Sequence, residues 1–487
     1  MDLKLITRKI MIESSIQILA LLVLLLTGCS KENPIDKYKY WQGAGDSGET
    51  VERDKTTVEI KNNGIYVNGE QFYIKGAALN GKNLSATDDE NPFWAEAVKA
   101  GANSIRLYSS ADLPADNTKA LACLDKFYEQ HIFVAFGLEV ARECDGADYS
   151  SDAIREYRIN TLKKEVDKYK GHPAILFWCI GNEVDCSTKA DGTSFTPNVN
   201  VWKDINTIAE YIKEVDGRPT STAITGIWSN QTTADDIKQY CTALDILCVN
   251  NYEGNIQDLY SSWQNKNFGI PYIVSEFGIR GTWDSGVPKT SFGSLIEPTA
   301  NEKAETYGNL YNQYILSHKE NGCLGSYVFL WGWQTHGDVL TWYTMFDQFS
   351  NAALPSVDMM TYLWSGSYPE NRAPVVASRT DLTIDGKSAS DNVSLSKASS
   401  VHTAKIVATD PEGDKLKYEW RIIKDERLGF GVPMSGGISG LFSTNQTDQN
   451  SIGFTAPSEA GNYRLIVYVR DLNHKKASCA VLPFEVK

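Results

Sequence analysis

The sequence of 487 residues is poor in positive charge, with 47 Lys and Arg against 61 Asp and Glu and a formal net charge of −14. No basic face would offset phosphate repulsion, so the composition argues against a nucleic-acid partner. Clusters of Cys and His at metal-site spacing are missing as well. The sequence therefore predicts no nucleic acid, no metal and no cofactor.

Long apolar runs are also scarce, and the stretch at residues 16–26 is too short to span a bilayer comfortably. Lys4, Arg8 and Lys9 precede it, as in a targeting segment. Residues 26–29 (LTGC) resemble a bacterial lipobox. That resemblance implies a lipoprotein signal peptide at residues 1–28 and a lipid anchor on Cys29. An uncleaved anchor or a plain secretion signal is the alternative.

From the lipobox we expect an outer-membrane lipoprotein on the periplasmic or cell-surface face. It would contact the membrane through the lipid anchor alone. Residues 29–56 are polar, charged and contain several glycines, so we predict a flexible tether there.

Eight cysteines follow Cys29. Cys123, Cys179 and Cys248 lie in helical or apolar strand patterns, which predicts buried free thiols. Cys144 and Cys186 each follow a predicted strand end, in what would be neighbouring loops. In an exported protein they form either a disulfide or two free thiols, and the sequence leaves both open.

We predict a catalytic domain at residues 57–368. It begins with a β-hairpin at residues 57–69, after which strands and helices alternate. Eight strand–helix units in this length predict an α/β fold, a (β/α)8 TIM barrel. An open, doubly wound sheet fits less well, because no glycine-rich phosphate loop follows the first strand. The predicted strands are residues 72–78, 104–108, 132–138, 174–180, 219–225, 245–249, 272–275 and 325–331.

The pattern changes near residue 370. Short runs that alternate apolar and polar residues, separated by turn clusters, predict an immunoglobulin-like all-β sandwich at residues 372–487. We expect a spacer or a weak sugar-binding module. Asp410, Glu412 and Asp414 form either a calcium site or a solvated turn, and the turn is favoured because no full oxygen-ligand loop is visible.

Two glutamates stand where apolar strands end. Residues 174–180 contain no polar side chain and lead to Glu183, and a second apolar strand leads to Glu276. Parallel barrel strands deliver their C-terminal ends to one face, where active sites of this fold gather. We therefore expect the two carboxyl groups to meet there, although an ion-paired structural role is the alternative reading.

Residues 178–183 (WCIGNE) and 275–278 (SEFG) resemble the Asn-Glu and nucleophile motifs of the clan A retaining glycoside hydrolases. The barrel is similar to that of glycoside hydrolase family 2 over about residues 57–366, notably at residues 244–252 (LDILCVNNY) and 329–332 (FLWG). Residues 72–76 and the N-terminal barrel are also similar to bacterial endo-β-1,3-glucanases and glucanosyltransferases of that clan.

The resemblance implies a role for each residue. Glu183 would be the general acid/base, and Glu276 the nucleophile. Arg106 and Tyr252 would hold Glu276 ionised, and Asn182 would bind the sugar 2-hydroxyl. Trp331 would be the apolar floor under the reacting sugar. Arg106, Tyr252 and Trp331 also have plain structural readings, as an ion-pair partner and as packing aromatics.

The implied activity is that of a retaining β-glycoside hydrolase that cleaves β-glucan by double displacement, most specifically an endo-β-1,3-glucanase. A β-glucanosyltransferase with the same two glutamates and an exo-β-glycosidase of family 2 type are alternatives. A surface glycan-binding lipoprotein without catalysis is the alternative of a different class. The partner in each case is an oligo- or polysaccharide.

Overall fold

The structure is a computed structural model. It describes residues 37–42, 49–54, 56–79, 93–189, 191–227, 232–333, 341–397, 401–425, 436–471 and 473–487. The predicted signal peptide and Cys29 lie outside these residues. Within them, none of the helices combines the length and the apolar character needed to cross a membrane.

Two short strands lie inside the segment predicted to be a flexible tether. β1 (Lys37–Gln42) pairs antiparallel with β2 (Glu49–Asp54) over six residue pairs. The segment predicted as a tether, residues 29–56, therefore contains a two-stranded ribbon. Residues 37–40 alternate lysine with tyrosine, a period of two that favours a strand, but the charges of this segment suggested a solvated linker.

A three-stranded antiparallel sheet closes one end of the barrel. It consists of β3 (Val58–Lys61), β4 (Gly64–Val67) and β5 (Glu70–Phe72). The predicted hairpin is confirmed, and its turn has Asn62 and Asn63 at φ of 53° and 56°, as a type I′ turn requires. Its apolar side chains pack against Leu176 and Ile246 inside the barrel.

Eight parallel strands form a closed barrel in sequence order, which confirms the predicted fold class. They are β6 (Ile74–Ala78), β7 (Ser104–Leu107), β8 (Phe133–Leu138), β9 (Ile175–Asn182), β10 (Thr220–Ile224), β11 (Ile246–Asn250), β12 (Tyr272–Phe277) and β13 (Cys323–Val328). The helices are α1 (Phe93–Lys99), α2 (Asn117–Glu129), α3 (Asp152–Tyr169), α4 (Asn200–Val215), α5 (Thr233–Tyr240), α6 (Ile256–Lys266), α7 (Ala300–Leu310) and α8 (Pro355–Ser365).

Strand β9 shows why its sequence is continuously apolar. Ile175 and Trp178 pack into the layer between strands and helices, whereas Leu176 and Cys179 fill the barrel interior. Both faces are therefore removed from water, and each fully buried aliphatic side chain contributes about 1.5–3 kcal/mol. The buried strand is a rigid base for the polar residues at its C-terminal end.

Helix α7 is shorter than its sequence pattern predicts. The pattern indicated one helix over residues 301–320. The helix proper ends at Leu310 and continues as a π-helical turn (Tyr311–Ile315) and a 3-10 turn (Leu316–Asn321). A single π-helical turn replaces the i→i+4 hydrogen bonds of the α-helix by i→i+5 bonds, which interrupts the regular helix.

The C-terminal sandwich has two sheets. One contains β14 (Leu382–Ile384), β16 (Val401–Ile406) and β19 (Ser451–Thr455). The other runs β15 (Ser394–Leu395), β21 (Lys476–Val486), β20 (Gly461–Asp471), β17 (Leu416–Lys424) and β18 (Gln446–Thr447). The pairing is antiparallel except between β15 and β21. The acidic turn is held by Asp410, whose Oδ1 accepts from the amides of Glu412 and Asp414, both at 3.0 Å.

A disulfide joins Cys144 and Cys186, with Cα atoms 6.0 Å apart. Of the two alternatives that the sequence left open, the disulfide is therefore the correct one. It connects the loop after β8 to the loop after β9, three residues beyond Glu183. Cys123, Cys179 and Cys248 are buried and do not take part in a disulfide, as predicted.

Candidate active site

The polar residues that follow the barrel strands converge on a cleft of about 1160 Å³ at the C-terminal face. Asn182 and Asn250 are the last residues of β9 and β11, and Glu276 is the penultimate residue of β12. Glu183 and Tyr252 lie just beyond strands. Because parallel strands share one direction, the fold brings together side chains as distant in sequence as Arg106 and Glu276, which are 170 residues apart.

Glu276 is almost completely buried, with its side chain 7% exposed. Its Oε1 accepts a hydrogen bond of 3.0 Å from Arg106 Nη1, and its Oε2 accepts one of 2.6 Å from the Tyr252 hydroxyl. Burial raises the pKa of Glu276 to about 6, although Arg106 opposes the shift, and the negative charge of Glu183 adds to it. The carboxyl group is therefore ionised above about pH 6.

Arg106 organises the floor of the site. Besides Glu276, its guanidinium donates to the carbonyl of Ser275 at 2.8 Å, to Asn250 Oδ1 at 3.2 Å and to Asn182 Oδ1 at 2.7 Å. A buried cation is tolerated when it is paired and its donors are satisfied. These contacts fix three cleft residues relative to one rigid group.

Glu183 stands in a different environment. Its backbone φ of 53° lies in the left-handed region, which non-glycine residues rarely adopt, and it follows Gly181 at φ 82°. This turn directs the side chain to the cleft, where it is 29% exposed. Oε1 accepts from Asn250 Nδ2 at 3.0 Å, and Arg142 Nη1 lies 3.8 Å from Oε2. One carboxyl group is thus buried and fixed, and the other is accessible to a ligand and to water.

Asn250 connects the two halves of the site, and the sequence reasoning did not single it out. Its amide nitrogen donates to Glu183 and, at 3.0 Å, to Asn182 Oδ1, while its oxygen accepts from Arg106 and from the Ser275 hydroxyl. Its position as the last residue of an apolar strand, two before Tyr252, was the available signal. Asn182 receives two donors on its oxygen, so its own amide N–H groups remain for a ligand.

Aromatic side chains form much of the cleft wall: Tyr108, Tyr252, Trp283, Phe329 and Tyr343. Trp283 is 72% exposed, in the loop after β12. The Tyr252 ring packs against Phe329 and Tyr343, with centroids 5.9 and 5.5 Å away. The buried Tyr108 hydroxyl interacts with Glu276, and that interaction lowers the pKa of the Glu276 carboxyl group. Asn251 Oδ1 is buried without a hydrogen-bond partner among the described residues and lines the cleft, so a ligand would supply its missing partner.

The prediction that Trp331 forms the floor under the sugar is corrected. Trp331 is fully buried, its Nε1 donates to the carbonyl of Phe93 at 2.7 Å, and its ring packs against Phe346 and Trp364. Strand β13 ends at Val328, so Phe329 reaches the cleft and Trp331 points into the core beside α1 and α8. The other predicted residues, Glu183, Glu276, Asn182, Arg106 and Tyr252, are brought together.

Known proteins match parts of this chain. A profile of the glucanosyltransferase family, glycoside hydrolase family 72, matches residues 47–286, just under half of the chain. A β-glucuronidase of Streptococcus agalactiae is 21% identical over 259 residues, 47% of this chain and 41% of that protein. The β-glucuronidase of Rattus norvegicus is 25% identical over 247 residues, 46% of this chain and 33% of that protein.

Among solved structures, a Bacteroides uniformis β-glucuronidase aligns with a TM-score of 0.49 at 14% identity, over 90% of this chain and 49% of its own. The β-D-glucuronidase of Dictyoglomus thermophilum aligns with a TM-score of 0.47 at 15% identity, over 69% and 58%. The chain thus spans about half the length of these relatives, or less.

Over part of its length, this chain is therefore similar to glycosidases and to a family of transglycosylases. This is the class that a closed barrel with two carboxyl groups at its C-terminal face also indicates.

Proposed function

We propose that this protein is a retaining β-glycoside hydrolase that cleaves β-glucan by double displacement, in the first instance as an endo-β-1,3-glucanase. The observation that carries the proposal is the chain of hydrogen bonds from Glu183 through Asn250 and Arg106 to Glu276. Retaining enzymes place one carboxylate as nucleophile beside a second as acid/base, close enough to act on one anomeric carbon.

The different environments of the two glutamates support a different role for each. In the first step, the Glu276 carboxylate attacks the anomeric carbon while Glu183 protonates the departing glycosidic oxygen, so one C–O bond forms and the other breaks. In the second step, Glu183 takes a proton from the incoming hydroxyl, which displaces Glu276 from the sugar. Arg106 and Tyr252 keep Glu276 oriented, and Asn182 donates to the sugar 2-hydroxyl, a contact that strengthens in the transition state.

The charge of the cleft favours a neutral glycan. Among the described residues, seven carboxyl groups line it, against two arginines: Asp112, Glu139, Asp145, Glu183, Glu253, Glu276 and Asp284, with Arg142 and Arg158. Arg106 pairs with Glu276 and Arg280 with Asp284, which still leaves the carboxyl groups in excess. Arg142 is already paired with Asp145 at 2.7 Å. An acidic field opposes the entry of an anion such as a glucuronide. We therefore propose that this chain shares glycosidase activity with the two β-glucuronidases but not their glucuronide substrate. An uncharged glucan is the proposed substrate.

The size of the cleft supports an oligosaccharide. Its volume of about 1160 Å³ exceeds the range of about 300–1,000 Å³ that is usual for small-ligand pockets. The exposed ring of Trp283 at its rim offers a stacking surface for a further sugar. Both features suit an enzyme that binds within a chain.

A β-glucanosyltransferase is the second candidate, and the match to the glucanosyltransferase family favours it. The first step is the same for both activities. They differ in the acceptor of the second step, which is water for hydrolysis and a sugar hydroxyl for transfer.

The test uses laminarin-type oligosaccharides and the variants Glu276→Gln and Glu183→Ala. We expect products that retain the β-configuration, and Glu276→Gln should lose activity by several orders of magnitude. With an aryl glycoside that has a good leaving group, Glu183→Ala should be rescued by azide and give the β-glycosyl azide. Shortened products alone identify a hydrolase, and elongated products identify a transferase. Full activity in Glu276→Gln, or cleavage of an aryl β-glucuronide in preference to the glucoside, would overturn the proposal.

The location stays a proposal too. The lipobox at residues 26–29 supports attachment to the outer membrane through Cys29. Metabolic labelling with a palmitate analogue, compared between the wild type and Cys29→Ala, tests it.

A further inference from the structure

The loop after β12 leads from the cleft into the sandwich. It supplies Trp283 to the cleft wall, and Val287 packs into the barrel core. Ile296, near the end of the same loop, is a buried member of the sandwich core. A residue of the barrel thus completes the core of the other domain, and the cleft loop is fixed at both ends.

Two hydrogen bonds hold the middle of this loop against the sandwich. Asn462 Nδ2 on β20 donates to the carbonyl of Phe292 at 3.1 Å. The amide of Ser291 donates to Asn392 Oδ1 at 2.6 Å. Backbone groups of an irregular loop need such partners, and here the sandwich supplies them.

A buried ionic junction joins the loop to three other elements. Lys303 on α7 donates to Glu297 Oε1 and to the carbonyl of Thr341, both at 2.6 Å. The Thr341 hydroxyl donates to Glu297 Oε2 at 2.9 Å, and Arg464 on β20 lies 3.8 Å from the same oxygen. Glu297 is 1% exposed, so these contacts are hardly screened by water.

The segment after β13 is held in the same way. Residues 341–354 supply Tyr343 to the cleft, and the buried Asp347 pairs with Arg470 of β20. The amide of Ala353 donates to Lys475 at 2.9 Å, and the amide of Ala477 donates to Ala353 at 3.0 Å. Trp342 Nε1 donates to the carbonyl of Arg280 at 2.8 Å, which ties the two cleft segments to each other.

We propose that the sandwich is a part of the substrate-binding apparatus, because it holds the two segments that present Trp283 and Tyr343 to the glycan. This inference rests on the proposed function for the identity of the ligand. It differs from the expectation of a spacer or a separate sugar-binding module. The sandwich acts through positioning, and its own surface need not contact the substrate.

Removing the whole sandwich would expose Ile296 and take Arg464 from Glu297 and Arg470 from Asp347, so a truncated chain tests folding only. The informative variants are Asn462→Ala and Ile296→Ala, which loosen the loop after β12 and leave every charge in place. Asn371→Ala is the matched control. Its amide donates to Asp471 Oδ2 at 2.8 Å, a bond between the segment after α8 and the sandwich that does not involve the loop after β12.

Two measurements separate the outcomes. Hydrogen exchange of the amides at 279–297 should accelerate about fivefold in Asn462→Ala, as expected for the loss of one ordinary hydrogen bond, and more in Ile296→Ala. In Asn462→Ala, KM for a long laminarin-type oligosaccharide should also rise about fivefold. The value of kcat/KM for an aryl β-glucoside should change by less than about twofold. Asn371→Ala should leave both values unchanged.

Unchanged exchange in both variants, or the same changes in Asn371→Ala, would overturn the proposal. So would faster exchange in the loop without any change in oligosaccharide KM. If the wild-type protein cleaves no glucan, the proposed function fails, and the exchange experiment still decides whether the sandwich holds the loop.

Discussion

The hydroxyl of Tyr252 donates to Glu276 Oε2 over 2.6 Å, so that Tyr252 and Arg106 each bind one oxygen of the same carboxylate. The bond stabilises the ionised form and lowers the pKa of Glu276 against the effect of burial, which raises that pKa to about 6. The nucleophile must be ionised to attack, so activity should fall as the pH drops through about 6.

The variant Tyr252→Phe should move this acidic limb of the pH profile. Without the donated bond, the pKa of Glu276 rises, the carboxylate protonates at a higher pH, and the limb shifts upward. We also expect kcat/KM to fall about 100–1,000-fold, the range seen when one preorganised donor in an active site is removed.

The measurement is kcat/KM against pH on an aryl β-glucoside. Tyr211→Phe is the control, because Tyr211 donates a similar bond of 2.7 Å to Asp167 on the outer helices. A limb that stays in place in Tyr252→Phe would show that the bond does not support the nucleophile.

The variant Glu183→Gln should move the same limb in the opposite direction. The charge of Glu183 contributes to the raised pKa of Glu276, so a neutral amide lets that pKa fall and the limb shifts to lower pH. The burst of dinitrophenolate from 2,4-dinitrophenyl β-glucoside, followed against pH, reports this step without needing the acid. Glu139→Gln changes another cleft carboxyl group and should leave the limb in place. An upward shift in Glu183→Gln would contradict the electrostatic coupling.

The variant Trp283→Ala should weaken binding of long substrates specifically. An aromatic stacking contact is worth about 0.5–1.5 kcal/mol, so KM for an oligosaccharide should rise about 2–13-fold. Because the ring is 72% exposed, the melting temperature should hardly change. Tyr362→Ala on α8 removes another exposed aromatic residue and should leave KM unchanged. An equal rise in KM for an aryl glycoside would place Trp283 at the reacting sugar, in disagreement with this prediction.

Loss of the Cys144–Cys186 disulfide should lower both stability and catalysis. The bridge closes a loop with a sequence separation of 42, and the chain-entropy relation gives about 4 kcal/mol for that length. It also joins the loop that carries Arg142 to the turn that holds Glu183 in its left-handed conformation.

The double variant Cys144→Ser/Cys186→Ser should therefore unfold at a lower temperature. It should lose more activity on substrates with poor leaving groups, which need the acid, than on dinitrophenyl glycosides. The wild type treated with reductant should behave in the same way, and the variant should not respond to reductant. Equal losses on both substrate types would mean that the bridge stabilises the fold without positioning Glu183.

Local patterns predicted most of the barrel because its strands are buried on both faces and its helices on one. The run at residues 174–180 and the helical spacing in residues 153–169 each correspond to an observed element, β9 and α3. Predictions from the sequence pattern failed at two segments, where the charge or the helical spacing of the residues pointed to a structure other than the one observed. Charged side chains concealed the strand at residues 37–42, and the helix predicted to residue 320 is interrupted at Tyr311.

Trp331 shows the limit of sequence reasoning at the site. A tryptophan after the eighth strand was predicted to face the sugar, but a strand end three residues earlier turns it into the core and puts Phe329 in the cleft. Asn250 and Trp283 were missed for a related reason. Their importance comes from side chains that approach them from other strands and loops, and no local pattern records those.

The sequence by itself determined the alternation of strands and helices and the two glutamates at strand ends, because burial and backbone period are local properties that each segment carries. The tertiary structure alone decided which oxygen of Glu276 meets Arg106 and which meets Tyr252, that Asn250 links the two carboxyl groups, and that the sandwich holds the cleft segments. Those relationships depend on distances between residues far apart in the chain, which are set only when the barrel closes and the two cores pack together.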